Sequence, residues 1–381
     1  MSIIQERLFS RKTLSACRLA FFLSGAGMGA WAPLVPYARE RADISEGQLG
    51  LLLLCLGTGS MLMMPFVGRL AHRIGCRNTM YLASVGIAAS LLALAVVPSY
   101  WQLVVALLLF GASIGTADVN MNLQGAMVEQ HYNRPMMSGF HGLFSAGTIF
   151  SAALVSVSLW LGLTPVQAIG TLLLAGTLAL VTVGRNMLPF ATLEAKTRRS
   201  RPTGFIVLLG VLCFIAFLVE GSMLDWSAVF LNSERNMPMD IAGIGYAAFS
   251  VTMAAGRLSG DVLVARFGTR LLLVAGSAIG LAGMAAAIVL DHWLASVIGF
   301  VLVGAGIANL VPIFCSCVGR QRQMAVAQGL AIMNSIGYMG ILMGPALIGF
   351  LAHVTSLSVA LMAAASLLCV VLCCSKVALK P

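Results

Sequence analysis

The stretch GRLAHRIGCR at residues 68–77 has a counterpart, DVLVARFGTR, at residues 261–270. Three residues of the first stretch return 193 positions later: Arg73, Gly75 and Arg77 as Arg266, Gly268 and Arg270. The same spacing relates FGASIG at 110–115 to VGAGIA at 303–308. Equal spacing of separate stretches indicates an internal repeat, so we predict two related halves.

The composition indicates that both halves cross a membrane. Of 381 residues, 59% are hydrophobic and 9% charged, and the mean hydropathy is +0.96, whereas soluble domains carry about 25% charged residues. Apolar blocks recur at the length of a spanning helix, about 20 residues. They predict an all-α polytopic membrane protein with twelve transmembrane helices, spans 1 to 12, near residues 13–36, 47–69, 78–97, 101–127, 136–160, 165–186, 204–231, 241–264, 270–289, 293–317, 324–351 and 355–375.

The twelve spans form two six-helix halves. We place the halves at residues 1–186 and 204–381, with a basic cytoplasmic linker at 187–203. A parallel repeat of this kind is expected to hold its substrate path near the middle of the membrane, between the halves. No cleaved signal peptide is expected, because the first twelve residues lead directly into a full-length span.

Basic residues predict the orientation. With both termini cytoplasmic, 20 of the 23 Lys and Arg residues lie on the inner side, and three lie outside: Arg39, Arg41 and Arg235. This positive-inside bias predicts a multi-pass protein of the cell inner (plasma) membrane. The net charge of +10 is then explained by topology and anionic headgroups, so no nucleic-acid partner is expected. The nine cysteines fall in spans or on the inner side, which argues against a disulfide framework or a metal site.

The basic loop after span 2, its repeat after span 8 and the six-plus-six layout resemble the major facilitator superfamily. More narrowly, FGASIGTADVNMNLQGAMVE (110–129), SGFHGLFSAGT (138–148) and VEGSMLDW (219–226) resemble its YbjJ-like inner-membrane branch, which is similar to fucose-permease-type carriers. The resemblance covers essentially the whole chain. It implies the major facilitator fold and solute transport by alternating access.

The resemblance also implies an inner gate at the two basic loops. Its predicted residues are Gly68, His72, Arg73, Gly75, Arg77, Arg257, Asp261, Arg266, Gly268 and Arg270. His72 stands where the family carries an acid, and it either makes the latch pH-sensitive or is a solvated loop residue. In the second loop Ala265 takes that position, and Asp261 stands in place of a glycine. Arg257 is expected at the inner end of span 8, paired with Asp261 one turn later.

A polar run within span 4 is the main candidate for substrate or proton binding. Gly111, Gly115, Asp118 and Asn122 share one helical face, and the glycines allow a neighbouring helix to come close. An aspartate in the bilayer costs about 2.5–3.5 kcal/mol, so it needs a partner or a water-filled cavity. We predict that Asp118 and Asn122 bind substrate or couple protons, with a purely structural carboxylate as the alternative. His141 in span 5 is the nearest plausible partner for proton exchange.

Span 7 supplies further candidates in the outer half of the membrane. Glu220 and Asp225 follow a long apolar run, and Trp226 either anchors the helix at the interface or stacks on a sugar ring. Trp31 occupies the corresponding place in span 1. Two amides, Asn309 in span 10 and Asn334 in span 11, are expected to line the cavity.

These features predict a secondary active transporter for a small polar solute such as a sugar, driven by protons. The absence of a P-loop sequence excludes ATP as the direct driver, and no enzyme motif or cofactor site is recognised. Span 5 lacks the glycine-proline signature of drug-proton antiporters, which argues against efflux. Two alternatives stay open: a proton-driven exporter of amphipathic compounds, and a membrane sensor or scaffold without transport. The expected partners are a small-molecule substrate, protons and lipid, with the chain a monomer.

Overall fold

The computed structural model describes residues 9–44, 46–191, 201–238 and 241–379. Within them the regular structure is helical and no strand occurs, which confirms the predicted all-α polytopic fold. The α-helices are Arg11–Gly29, Val35–Ala42, Glu46–Val96, Tyr100–Tyr132, Met137–Trp160, Pro165–Val183, Gly204–Arg235, Ile244–Phe267, Thr269–Val289, Trp293–Ile307, Leu310–Arg320, Val326–Val354, Leu357–Ser366 and Leu368–Cys374.

The predicted spans correspond to these helices after two differences are explained. Ten described helical segments are long and apolar enough to cross a membrane. Glu46–Val96 contains spans 2 and 3, which are separated by a break at Gly75. Span 8 is the helix Ile244–Phe267, in which two arginines and an aspartate lower the hydropathy.

The internal repeat is visible in the backbone. Gly75 has φ 82° and ψ 160°, and Gly268 has φ 80° and ψ 152°. These left-handed values favour glycine, which carries no Cβ. Asp43 and Asn236, also 193 positions apart, both end a helix with a left-handed residue, at φ 47° and 52°. The sequence repeat is therefore a repeat of local conformation.

Arg41 and Arg235, two of the three basic residues predicted outside, have matching contacts. Arg41 donates to the carbonyl oxygens of Leu94, Ala95 and Val97, at 2.6, 2.9 and 2.9 Å, at the end of span 3. Arg235 donates to those of Ala287 and Ile288 at the end of span 9, at 3.0 and 2.8 Å. Each guanidinium thus satisfies carbonyls that a helix end leaves unpaired. This explains why two basic residues depart from the positive-inside bias.

The chain forms two compact units. The first comprises residues 1–133, 143–200 and 324–331, and the second comprises 134–142, 201–323 and 332–381. The second unit thus includes the start of span 5, and the first includes the start of span 11. The division of the sequence at 187–203 stays a prediction, and residues 192–200 of that linker lie outside the described residues.

Glycines permit close helix packing within each unit. In the first unit, Gly111 faces the backbone of Leu56, and Gly115 faces that of Ser60. In the second unit, Gly306 faces the backbone of Gly276. A side chain at these positions would overlap main-chain atoms. Small residues therefore hold spans 2 and 4, and spans 9 and 10, at short separation.

Candidate substrate and coupling site

Asp118 and Asn122 lie together in the first unit. Asp118 is 9% exposed and Asn122 is 1% exposed. The Asn122 side-chain amide donates to the Asp118 main-chain oxygen at 3.0 Å and to Asp118 Oδ1 at 3.4 Å. The pair shares a helical face, as the spacing predicted. A buried carboxylate with an amide one turn away can accept a proton or a hydroxyl donor.

The other two amides of this run have structural contacts. Asn120 donates to the main-chain oxygen of Cys76 at 2.9 Å, beside the break between spans 2 and 3. Gln124 accepts a hydrogen bond from the main-chain nitrogen of Leu188 at 3.1 Å, just after span 6. These contacts attach span 4 to neighbouring segments of its own unit. The polar run therefore separates into Asp118 and Asn122 on one face, and structural amides on another.

A second charged group lies in the second unit. Arg257 Nη2 is 3.0 Å from Glu220 Oε2 and 3.2 Å from Oε1. The Arg257 side chain is 9% exposed and that of Glu220 is 26% exposed. Arg257 precedes the end of its helix at Phe267 by ten residues, or about 15 Å. The prediction that Arg257 lies at the inner end of span 8 is therefore wrong; it lies near the middle and contacts span 7.

The same arginine contacts a break in span 10. The helix Trp293–Ile307 stops before Ala308 and Asn309, and a new helix starts at Leu310. Pro312 has no N–H with which to bond the Ala308 oxygen four residues earlier. Arg257 Nε donates to that oxygen at 3.4 Å, and Asn309 donates to the Gly256 oxygen at 3.1 Å. Two reciprocal hydrogen bonds thus join the break to span 8.

Asn309 also presents an unused acceptor. Its side chain is buried, and its Oδ1 atom has no hydrogen-bond partner among the described residues. Gly260 lies against this amide and against Ser138 of span 5, so no larger residue fits there. Asn309 was predicted to line the cavity, although the sequence did not indicate which way its side chain points. The structure places it beside the Arg257–Glu220 pair.

His141 is buried and belongs to the second unit, as does Arg257. Sequence reasoning paired His141 with Asp118, because both fall at similar depth. Asp118 belongs to the first unit, and proton exchange between the two residues stays a prediction. The neighbourhood of Arg257 was not foreseen, since nothing along the chain links spans 5 and 8.

Asp261 contacts the start of span 5. Its Oδ2 accepts a hydrogen bond from the Gly139 main-chain nitrogen at 3.0 Å. A Cβ at Gly139 would overlap that oxygen, and one at Gly142 would approach Leu258 Cδ2 to 2.6 Å. Two glycines of the SGFHG segment thus let span 5 approach span 8. This hydrogen bond joins Asp261, a predicted gate residue of span 8, to the start of span 5.

The remaining gate candidates differ in exposure. Gly68 lies close to the main chain of Ala327, and Gly75 to that of Pro189. Arg77 is half-buried, with its main-chain nitrogen donating to the Leu188 oxygen at 2.9 Å. Four further residues carry exposed side chains with no ion pair to a described residue: His72, Arg73, Arg266 and Arg270. Gly268 is exposed too, and a charge relay among these residues stays a prediction.

The remaining residues predicted for the outer half of the membrane or for the cavity differ in burial. Trp31 is 5% exposed and precedes the short 3₁₀ helix Ala32–Leu34. Trp226 is half-buried and lies against Gly349 of span 11. Neither indole nitrogen has an acceptor among the described residues. Asp225 is exposed, and Asn334 is buried in span 11.

Comparison with known proteins relates this chain to membrane transporters. The profile of the Major Facilitator Superfamily matches residues 18–183. An uncharacterized MFS-type transporter of Yersinia pestis is 45% identical over 352 residues, which cover 90% of each chain. The membrane protein MosC of Rhizobium meliloti is 28% identical over 95% of this chain and 89% of its own.

Solved structures show the same fold. The Escherichia coli fucose:proton symporter FucP superimposes with a TM-score of 0.76 at 16% identity, over 96% of this chain and 98% of its own. The proton:xylose symporter XylE superimposes with a TM-score of 0.77 at 12% identity, over 98% and 96%. With the 45% identical relative covering nine-tenths of its length, this multi-pass chain belongs to the major facilitator superfamily of transporters.

Proposed function

We propose that this transporter imports a small polar solute, such as a sugar, across the cell inner membrane by proton-coupled alternating access. Membership of the major facilitator superfamily supports a transport function. The charged groups within its spans support coupling, because ionisable residues at membrane depth are costly and usually mark ion or substrate pathways. Both termini are proposed to be cytoplasmic.

The observation that carries the proposal is the Arg257–Glu220 pair beside the break in span 10. An isolated buried charge is far more costly than a pair. A proton that neutralised Glu220 would weaken its attraction for Arg257, and Arg257 holds the Ala308 oxygen at the break. Protonation of Glu220 in span 7 would thereby change the conformation of span 10 at its break. Asp118 remains our first candidate for the coupling carboxylate, with Glu220 the second.

The unused polar atoms favour a solute rich in hydroxyl groups. In the second unit, Asn309 Oδ1 offers an acceptor and the indole nitrogen of Trp226 offers a donor. A hydroxyl group can serve both, since it donates one hydrogen bond and accepts others. FucP and XylE, which share the fold, are proton symporters for fucose and xylose.

The predicted inner gate is part of this proposal. We propose that Asp261, bonded to the main chain of Gly139, holds spans 5 and 8 together on the cytoplasmic side in one state. Breaking that hydrogen bond would then be required when the cytoplasmic side opens. Arg73, Arg266 and His72 are proposed to contribute from exposed positions.

Uptake by proteoliposomes tests the proposal. Purified protein is reconstituted, and accumulation of labelled monosaccharides is measured with and without an inward pH gradient. Accumulation that needs the gradient, and falls in Glu220→Gln and Asp118→Asn, supports the proposal. Gradient-driven efflux of amphipathic dyes without sugar uptake would favour the exporter. No flux of either class would favour a sensor or scaffold.

A further inference from the structure

An apolar cavity in the first unit is separate from the residues proposed for transport. It has a volume of about 170 Å³ and lies among spans 1, 3 and 6, with Phe150 of span 5 also in its wall. Its walls include Leu19 and Leu23 of span 1, Met80 and Ile87 of span 3, and Leu172 and Leu180 of span 6. Ligand pockets for small molecules usually hold about 300–1,000 Å³ and a few oriented polar groups. This one is smaller and almost wholly apolar, so it suits a hydrocarbon chain.

The depth of the cavity matches one leaflet. Its wall runs from Leu19 to Gly27 in span 1 and from Met80 to Leu91 in span 3. At the rise of a helix these stretches are about 12 and 16 Å long. Half of the hydrocarbon core is about 15 Å thick. By the predicted bounds, this wall begins about 9 Å inside the cytoplasmic end of span 1 and about 3 Å inside that of span 3, and it ends just past the middle of the membrane.

Three arginines stand at the predicted cytoplasmic end of this cavity. Arg18 precedes Leu19 directly and lies one helical turn before Phe22, another wall residue. Arg77 lies three residues before Met80, so the two side chains fall on the same face of span 3. Arg77 Nη1 donates to the Arg185 oxygen at 3.4 Å, and Arg185 lies just after span 6.

The segments that carry these arginines pack together. The helix Arg11–Gly29 contacts the short turn Gly184–Asn186, and Gly184 lies against Tyr81 of span 3. Arg18 and Arg185 are exposed, and Arg77 is half-buried. No carboxylate among the described residues forms an ion pair with any of the three. Their positive charges are therefore not neutralised by the part of the chain that the structure describes.

We propose that this feature is a binding site for one anionic phospholipid. Part of one acyl chain occupies the cavity, and the phosphate contacts Arg18, Arg77 and Arg185. Basic pockets between spanning helices on the cytoplasmic side suit anionic headgroups, and guanidinium groups match phosphate oxygens with paired hydrogen bonds. A bound lipid would join the cytoplasmic ends of spans 1, 3 and 6. The proposal is independent of the transported solute.

Native mass spectrometry of the purified full-length protein tests the headgroup contact. Dioleoyl phosphatidylglycerol and dioleoyl phosphatidylcholine are titrated against the delipidated protein in detergent. We expect saturable binding of one phosphatidylglycerol with clear preference over phosphatidylcholine. In Arg18→Gln/Arg185→Gln, both exposed, each lost charge should weaken that binding about fivefold. The matched control, Arg266→Gln/Arg270→Gln, removes two exposed arginines elsewhere and should leave affinity unchanged.

A second variant tests the acyl chain. A Cβ at Gly176 meets only Leu23 Cδ2, at 3.6 Å, so Gly176→Phe fills the cavity. Gly170→Phe, in the same helix with open space around it, is the control. We expect only Gly176→Phe to reduce phosphatidylglycerol binding, at least tenfold. Equal binding of both lipids, unchanged affinity in both test variants, or competition by millimolar glycerol phosphate would overturn the proposal.

Discussion

Arg257 and Glu220 form an ion pair near the middle of spans 8 and 7, with Arg257 Nη2 3.0 Å from Glu220 Oε2. Glu220→Ala would leave the buried guanidinium without its carboxylate, at a cost of about 1–3 kcal/mol, moderated by the partial exposure of Glu220. Arg257→Ala/Glu220→Ala should be less destabilised than the sum of the single variants. Thermal unfolding in detergent provides the double-mutant cycle. If the losses of stability are additive, the two side chains contribute no interaction energy to folding.

The break in span 10 is expected to depend on Pro312. Pro312→Ala supplies the main-chain N–H that the Ala308 oxygen lacks. The new hydrogen bond would compete with Arg257 for that oxygen and favour a continuous helix. We expect higher thermal stability together with slower transport.

A proline inside a different helix provides the control for this change. Pro345→Ala in span 11 should change stability in the same direction without the same loss of transport rate. If Pro312→Ala transports at the original rate, the break has no role in the transport cycle.

A side chain at Gly139 is expected to displace the carboxylate of Asp261. The Cβ of Gly139→Ala would overlap Asp261 Oδ2 and displace the gate hydrogen bond. Cysteine-accessibility labelling should then show greater exposure of the cytoplasmic ends of spans 5 and 8. In the double variant Gly139→Ala/Asp261→Ala, the overlap with the carboxylate should be absent. Gly170→Ala, with open space around it, should leave labelling unchanged; an unaltered pattern in Gly139→Ala would count against the gate.

The repeated arginine contacts lead to a stability prediction. Arg41→Gln removes charged hydrogen bonds to three carbonyls at the end of span 3, and should cost about 1–2 kcal/mol of unfolding free energy. Arg41→Lys should recover only part of the loss, because an ammonium group lacks the planar fork of a guanidinium. Arg235→Gln should lose a similar amount of unfolding free energy. Calorimetric or fluorescence unfolding measures all three; unfolding curves that match the original protein would contradict the assignment.

Periodic features were predictable from the sequence, whereas contacts between spans were not. The apolar blocks and the spacing of Gly75 and Gly268 predicted the helices and the repeat, because both are local properties of the chain. The partner of Arg257 could not be foreseen, since Glu220 lies 37 residues away on another helix. Pro312 was the one available signal for the break in span 10, and its missing N–H could have suggested that Ala308 needs another donor.

Asp118→Asn tests proton coupling at the residue that we rank first. The substitution keeps the shape of the side chain and a hydrogen-bonding group near Asn122, but the amide does not change its protonation state at physiological pH. We therefore expect the variant to fold, bind solute and exchange labelled for unlabelled solute across proteoliposomes, while accumulation driven by a pH gradient is lost. Asn122→Ala, one turn away, should instead weaken solute binding and retain gradient dependence.

Three measurements separate the roles of Asp118: thermal unfolding, counterflow exchange and gradient-driven uptake. A loss of only the third assigns coupling to this carboxylate, because binding and the conformational cycle both remain intact. A loss of folding would assign it the structural role, since a buried carboxylate can be retained for its hydrogen bonds alone. Undiminished accumulation would exclude Asp118 and leave Glu220, for which Glu220→Gln is the equivalent test. There the amide would also remove the negative charge of the Arg257–Glu220 pair, so exchange should slow together with accumulation, and that difference distinguishes the two carboxylates.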